Sequence, residues 1–449
     1  MGSHALLACV LALTTLASGA PAGHADTPAG EGPVLGRGLV KQIRDEKKVR
    51  SIVELRPGHP VSGVASAVER ASAGAKVLES AESGSFFVAE VDAAALAELR
   101  KDARVKAVYA DRLSVPHLAR STKVIGSDVA NAAGWTGSGS TVAVLDMGID
   151  GDHPFLAGRV VDQACFSTTD PGSGAVSLCP GGLDTQSGPG AADTGIRLCM
   201  AGAVNQCGHG THVAGIAAGL RVPGAPSDGV APGAKVLPIQ VFSRIDSAGT
   251  CASVGVPAPC FVSYTSDQKL ALEYVTRMAK THNIASVNLS LGGGHPYTAH
   301  CDADPEAAAL KSEFDALLEQ GVAPVVAAGN GVPGNTGVTS PACVSSAVAV
   351  GATDNADQVA DFSNRGPLLD LFAPGADITS SVPDDTYAAL SGTSMSAPHV
   401  AGSFAVLKQA YPALDAARIL ELLRETGRQV ASGVPRIDLA QATSAAAKR

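Results

Sequence analysis

Four short apolar runs, at residues 141–145, 235–241, 285–289 and 322–328, constrain most strongly what this chain can fold into. They are rich in Val, Ile, Leu and Ala and too short to be core helices, and all but 285–289 lack a sustained apolar–polar alternation, so they read as strands buried on both faces. Strands buried on both faces belong to a parallel sheet, and parallel neighbours need long crossover connections. Helical patterns at 266–280 and 305–320 lie between such runs, and 415–426 reads as one more helix. Beyond about residue 122 the sequence therefore predicts an α/β domain, a parallel sheet flanked by helices.

A smaller unit precedes it. Residues 49–55 read as a strand, and 61–73 as a helix with Val61, Val64, Ala65 and Val68 on one face. Residues 75–79 and 85–91 suit a hairpin around Glu82-Ser83-Gly84. Asp92 suits the N-cap of a helix over 93–101, and 104–110 reads as a closing strand. The order β-α-β-β-α-β is that of a ferredoxin-like α+β unit. Residues 26–48 read as a flexible leader, and 111–122, with Pro116 and Arg120, as an exposed linker.

The first 25 residues read as an export signal. Residues 5–17 form a thirteen-residue, mostly apolar run, suited to a signal and too short to span a bilayer, and Gly23-His24-Ala25 is the best cleavage site. The usual basic residue before the run is missing. No later run reaches the length of a membrane span, so a secreted protein with no membrane attachment after signal removal is expected. Of nine Cys, only Cys9 leaves with the signal. The remaining eight all lie beyond residue 119, an even number that suits disulfides in an exported chain. Their pairing is open, and pairing of sequence neighbours (165–179, 199–207, 251–260, 301–343) is simplest. The net charge of −9 argues against nucleic acid as a partner. The charge is uneven: residues 1–118 hold 14 Lys/Arg and 13 Asp/Glu, whereas 119–449 hold 19 and 29. A net of +1 against −10 favours association of the two parts, weakly and in a salt-dependent way.

Three segments carry the chemistry. The run 141–145 ends in Asp146-Met147-Gly148-Ile149-Asp150, and the C-terminal end of a buried parallel strand is where open α/β sheets place their sites. The second is Cys207-Gly208-His209-Gly210-Thr211-His212, followed by small residues that suit a tightly packed helix. His209 is the candidate base, and His212, one turn on, is expected to pack inside. A zinc reading of Cys207, His209 and His212 fits poorly, because the two His are three apart and the Glu of His-Glu-x-x-His is absent. The third is Ser391-Gly392-Thr393-Ser394-Met395-Ser396-Ala397-Pro398-His399, where Ser394 would sit at a helix N-terminus within the positive end of its dipole.

In content and in order, Asp then His then Ser, these segments resemble the subtilisin-like serine proteases (subtilases) over residues 122–440. The resemblance implies that Asp146 orients His209, that His209 takes a proton from Ser394, and that Ser394 attacks a peptide carbonyl. Val325-Val326-Ala327-Ala328-Gly329-Asn330 resembles the family's oxyanion strand, which makes Asn330 a donor to the developing oxyanion beside the Ser394 N–H. Ser290-Leu291-Gly292-Gly293 resembles the edge segment that pairs with substrate backbone. Residues 49–111 resemble the inhibitory propeptides of many subtilases. The resemblance thus divides the chain into a signal peptide (1–25), an inhibitory propeptide (26–118) and a catalytic domain (119–449).

Three departures stand out. Met147 occupies a place where the family usually has Thr or Ser. Phe155 replaces an Asp often used to bind calcium, and the usual calcium-loop insertion after His209 is missing. Cysteine-bearing insertions flank the His segment. The chemistry needs no cofactor, and a structural calcium is left open with no ligands assigned. The expected protein is a self-processing, monomeric secreted endopeptidase acting on polypeptides, with its own propeptide as inhibitor. A catalytically silent peptide-binding fold and a metallohydrolase are the competing readings. The intact Asp-His-Ser set and Asn330 argue against the first; sulfonyl fluoride against chelator sensitivity separates the second.

Overall fold

The computed structural model describes residues 32–445 apart from 37, 81–85, 111–117, 203, 254, 333 and 431–432. These residues form two compact units, on either side of residues 114 and 115. The export signal, the Glu82-Ser83-Gly84 turn and most of the linker lie outside the described residues.

In the N-terminal unit, strands Lys48–Leu55, Lys76–Ser80, Phe86–Asp92 and Val105–Ala110 alternate with helices Val61–Ala71 and Ala93–Leu99. Each strand pairs antiparallel with its neighbours. Val64 and Val68 face the core with Val53, Phe87 and Val108. Asp92 caps its helix by accepting from the Ala94 and Ala95 amides. The leader departs from expectation: it contains strand Val34–Leu35, parallel to Val105–Ala110, and helix Leu39–Glu46. Leu39 and Ile43 explain this, because four residues apart on one helical face both are buried in the same core.

The larger unit is built on a ten-stranded sheet. Its centre is parallel, in the spatial order Leu371–Pro374, Val348–Thr353, Ala323–Ala327, Ile284–Leu289, Thr141–Asp146, Lys235–Gln240 and Ala164–Phe166. Apart from Lys235 at one strand start, every residue of these strands is buried, including the polar Ser286 and Asn288 of Ile284–Leu289. Helices pack on the sheet: Thr265–Met278 and Lys311–Glu319, with Thr393–Ala410 and His209–Ala218 in contact with each other. Lys311–Glu319 is shorter than the expected 305–320, since residues 305–310 form turns. Asp415 is the N-cap of Ala416–Thr426 and accepts from the Arg418 amide.

Helices Thr393–Ala410 and His209–Ala218 are buried almost throughout. Their composition allows it. A Cβ on Gly402 would sit 2.8 Å from the Ala217 carbonyl oxygen, and one on Gly210 would run into the Gly148 carbonyl.

The end of the expected linker is a second correction. Leu118–Val124 is helical, and Ser121 and Thr122 are buried. No apolar pattern announces this helix, because what binds it is polar: the Ser121 hydroxyl lies 2.9 Å from Nε2 of the buried His399.

All four disulfides join sequence neighbours: Cys165–Cys179, Cys199–Cys207, Cys251–Cys260 and Cys301–Cys343. Cys207 is thereby removed as a metal ligand. Among the described residues no helix is long and apolar enough to cross a membrane.

Candidate active site

Three adjacent parallel strands deliver the candidate residues to one edge of the sheet. Thr141–Asp146 ends in Asp146, Ile284–Leu289 runs into Ser290–Gly293, and Ala323–Ala327 leads to Asn330. Leu289 is in register with Leu145 on one side and with Val326 on the other, so the three ends are level. The C-terminal ends of parallel strands are where open α/β sheets leave room for chemistry.

Asp146 is fully buried, and both its oxygens lie 2.9 Å from His209 Nδ1. The Met147 amide donates to Asp146 Oδ1 at 2.8 Å and holds the carboxylate in place. His209 is the first residue of its helix, and its ring remains 30% exposed. Burial disfavours the imidazolium, but the Asp146 charge and hydrogen bond outweigh it, so the pKa of His209 lies above the ordinary histidine value. His212 packs inside as expected. Its Nε2 lies 3.0 Å from the Ala388 carbonyl oxygen, and burial pushes it down to about 4.

Ser394 is the second residue of helix Thr393–Ala410. Its hydroxyl donates to the Ser290 carbonyl at 3.3 Å, and the Ser290 hydroxyl donates to the Ser394 carbonyl at 2.7 Å. Pro398 accounts for the second bond. A proline four residues on has no N–H to offer the Ser394 carbonyl, so the helix leaves an acceptor that Ser290 fills. Asn288 Nδ2 donates in turn to the Ser290 hydroxyl at 2.9 Å.

Asn330 lies at the mouth of the site with its Oδ1 doubly occupied, by the Thr393 amide at 2.9 Å and the Thr393 hydroxyl at 3.0 Å. With Oδ1 so held, Nδ2, which lies beside Gly392, is the side chain's remaining hydrogen-bonding group. Gly329, at φ +98°, makes the turn before it in a conformation that L side chains rarely adopt. The part played by Thr393 was not legible in the sequence, because it depends on a contact between residues 63 apart. Leu291, Gly292 and Gly293 border a cleft of about 760 Å³ that Phe242 and Phe261 line on another side.

A calcium ion does not fit at the position the resemblance singles out. Phe155 is fully buried there, edge-on to Tyr387 at 5.7 Å, and offers no oxygen. Among the described residues no group of three or more His, Cys, Asp or Glu is placed to hold a metal ion.

Residues 137–442 match the family model described as the subtilase family. The chain belongs to this family. It is 31% identical to subtilisin E of Bacillus subtilis (strain 168) over 363 residues, covering 79% of this chain and 78% of the relative. It is 33% identical to subtilisin Savinase of Lederbergia lenta, over 69% of this chain and 90% of the relative. A crystal structure of a cold-adapted subtilisin-like serine proteinase aligns at 28% identity and a TM-score of 0.47, over 68% of this chain and 89% of that one. This subtilase is thus a serine endopeptidase whose substrates are polypeptides.

Two outcomes follow from the geometry. A base must be neutral to accept a proton, so kcat/KM should fall with decreasing pH through a pKa above the ordinary 6.5 or so of histidine. Asp150 also titrates nearby, pushed up to about 7 by burial and then by the Asp152 carboxylate. The acid limb should therefore be measured in Asp150→Asn as well; a limb below pH 6 in both proteins contradicts a His209 base. Replacing Asn330 by Ala should lower kcat about 10²–10³-fold with little change in KM, a magnitude taken from loss of the corresponding donor in a subtilisin rather than from this geometry. A loss below tenfold removes Asn330 from the oxyanion site.

Proposed function

We propose that Asp146, His209 and Ser394 form a charge-stabilised triad, and that the chain is an exported zymogen which matures by cutting its own N-terminal segment away. The observation that carries the reading is the fully buried Asp146 carboxylate held 2.9 Å from His209 Nδ1. An acceptor there fixes the tautomer with the proton on Nδ1, which leaves Nε2 free to act as base.

The chemistry then runs as follows. A peptide adds as a strand along Ser290–Gly293 and brings its scissile carbonyl to Ser394. In the resting arrangement the Ser394 hydroxyl is turned to the Ser290 carbonyl, so attack requires it to swing to His209; bonds of this kind tighten once substrate is bound. His209 accepts the hydroxyl proton as Ser394 Oγ bonds to the carbonyl carbon. The negative charge that develops on oxygen is met by Asn330 Nδ2 and the Ser394 N–H. His209 passes the proton to the leaving amine, and water repeats the sequence to release the acyl group. None of these steps calls on a metal or a cofactor.

Export is supported by the four disulfides and by the apolar run at residues 5–17. Inhibition by residues 26–118 is supported by the N-terminal unit's own core and by the charge contrast between the two parts. The cut is placed near Leu118–Ala119, within a window of 112–126. Because Leu118–Val124 is helical, cutting at 118–119 requires the first turn to unwind. In this reading the mature enzyme is a monomer.

Expressed in a protease-deficient host, Ser394→Ala should accumulate as full-length precursor, while the parent chain matures. Residues 26–118 made separately should inhibit the mature enzyme at micromolar concentration. Maturation of Ser394→Ala refutes self-processing, absent inhibition refutes the inhibitor role, and a mature N-terminus outside 112–126 refutes the junction.

A further inference from the structure

We propose that Ser121, in the first helix of the larger unit, is a positioning residue for Ser394 that acts through His399. The inference rests on the triad reading above and adds to it a residue that never touches substrate.

What it steadies is the first turn of helix Thr393–Ala410. Because Pro398 lies in that helix, the Ser394 carbonyl has no backbone donor four residues on, and the turn that carries Ser394 lacks one of its helical bonds. Ser290 fills the gap at the Ser394 carbonyl. At the next carbonyl, that of Met395, a second side chain intervenes: His399 Nδ1 lies 2.8 Å from it. The His399 carbonyl accepts in turn from the Ser403 hydroxyl at 2.7 Å, one turn further on.

The direction of these bonds follows from the ring. His399 is fully buried, and burial pushes it down to about 4, so the imidazole is neutral, with one donor and one acceptor. A carbonyl can only accept, which places the proton on Nδ1 and makes Nε2 the acceptor. Nε2 lies 2.9 Å from Ser121 Oγ, so the Ser121 hydroxyl donates to it. That bond fixes the ring with Nδ1 on the Met395 carbonyl. Without the hydroxyl, Nε2 would be a buried acceptor with no donor, and the ring would gain by turning away from Met395.

Ser121 is itself firmly seated. It is fully buried, and just beyond it the Ser127 hydroxyl donates to the Thr122 carbonyl at 3.1 Å. The Leu439 amide donates to the Ile125 carbonyl at 2.7 Å, and Ile125 lies in the same core as Met395. The placement bears on maturation. A cut at Leu118–Ala119 leaves Ser121 as the third residue of the mature chain, whereas a cut beyond it would discard the latch.

The test compares mature parent, Ser121→Ala and Ser127→Ala enzymes, with active sites counted by stoichiometric reaction with a sulfonyl fluoride. Per reactive site, Ser121→Ala should lose about tenfold in kcat with KM unchanged, a part of the roughly 10²-fold that a 1 Å misplacement can cost. Ser127→Ala loosens the same segment without touching His399 and should keep the parent's kcat. An unchanged kcat in Ser121→Ala, or equal losses in the two variants, overturns the proposal. So does mass spectrometry that finds fully active mature parent beginning beyond Ser121, a measurement that decides the matter even where the alanine variant fails to fold. If the parent's sites react with the sulfonyl fluoride and Ser121→Ala matches it, the triad reading stands and only Ser121 falls; a parent that does not react brings down both.

Discussion

The close approach of two buried helices governs this protein. His209–Ala218 and Thr393–Ala410 carry His209 and Ser394 in their first turns, and both helices lie in the interior rather than on the surface. Helices that are apolar all round must be covered on every side. Here coverage is achieved with Gly and Ala, so that backbone meets backbone at Gly402 and Ala217, and at Gly210 and Gly148. Interiors are packed like organic crystals, and a contact without side-chain slack has few ways to shift. The separation of His209 and Ser394 is therefore held by backbone packing, both beside Asp146 at Gly210 and deeper in the interior at Gly402.

The hydrogen bonds of the site fit that frame by filling what it leaves open. Pro398 deprives the Ser394 carbonyl of a helical partner, and Ser290 supplies one from a neighbouring strand end. Thr393 occupies the oxygen of the Asn330 side chain, which determines where its nitrogen points. Hairpin strand Thr386–Leu390, just before Ser394, is tied by the Thr386 carbonyl to His153 and by the Ala388 carbonyl to His212, each at 3.0 Å. Each bond joins residues that are distant in sequence, so side chains on separate elements hold one another to a single arrangement.

That distance explains what could be read in advance. The parallel strands were legible because burial on both faces leaves short segments rich in Val, Ile, Leu and Ala, and Asp146, His209, Ser394 and Asn330 because each sits in a local motif. The cysteines pair with their sequence neighbours, three pairs across short segments and Cys301–Cys343 across a helix and a strand of the sheet. Helix Leu39–Glu46 was hidden by charge, with two buried residues among Lys, Arg, Asp and Glu. Helix Leu118–Val124 was hidden for the opposite reason: among its described side chains the buried ones are Ser121 and Thr122, and the partner of Ser121 lies 278 positions away. The role of Thr393 is of the same long-range kind.

The spacing of the cystines has a consequence for survival. Three of the four close short loops, with sequence separations of 8, 9 and 14, and so constrain the unfolded chain less than long-range links would. What they do hold is the short loops themselves. An endopeptidase at high concentration is exposed to its own kind, and surface loops are where chains are nicked, because a segment must open into an extended strand to be cut. A loop pinned at both ends by sulfur opens less readily. The short cystine loops are thus poorer substrates for neighbouring copies, so cysteines that take no part in the chemistry lengthen the life of the enzyme among its own kind.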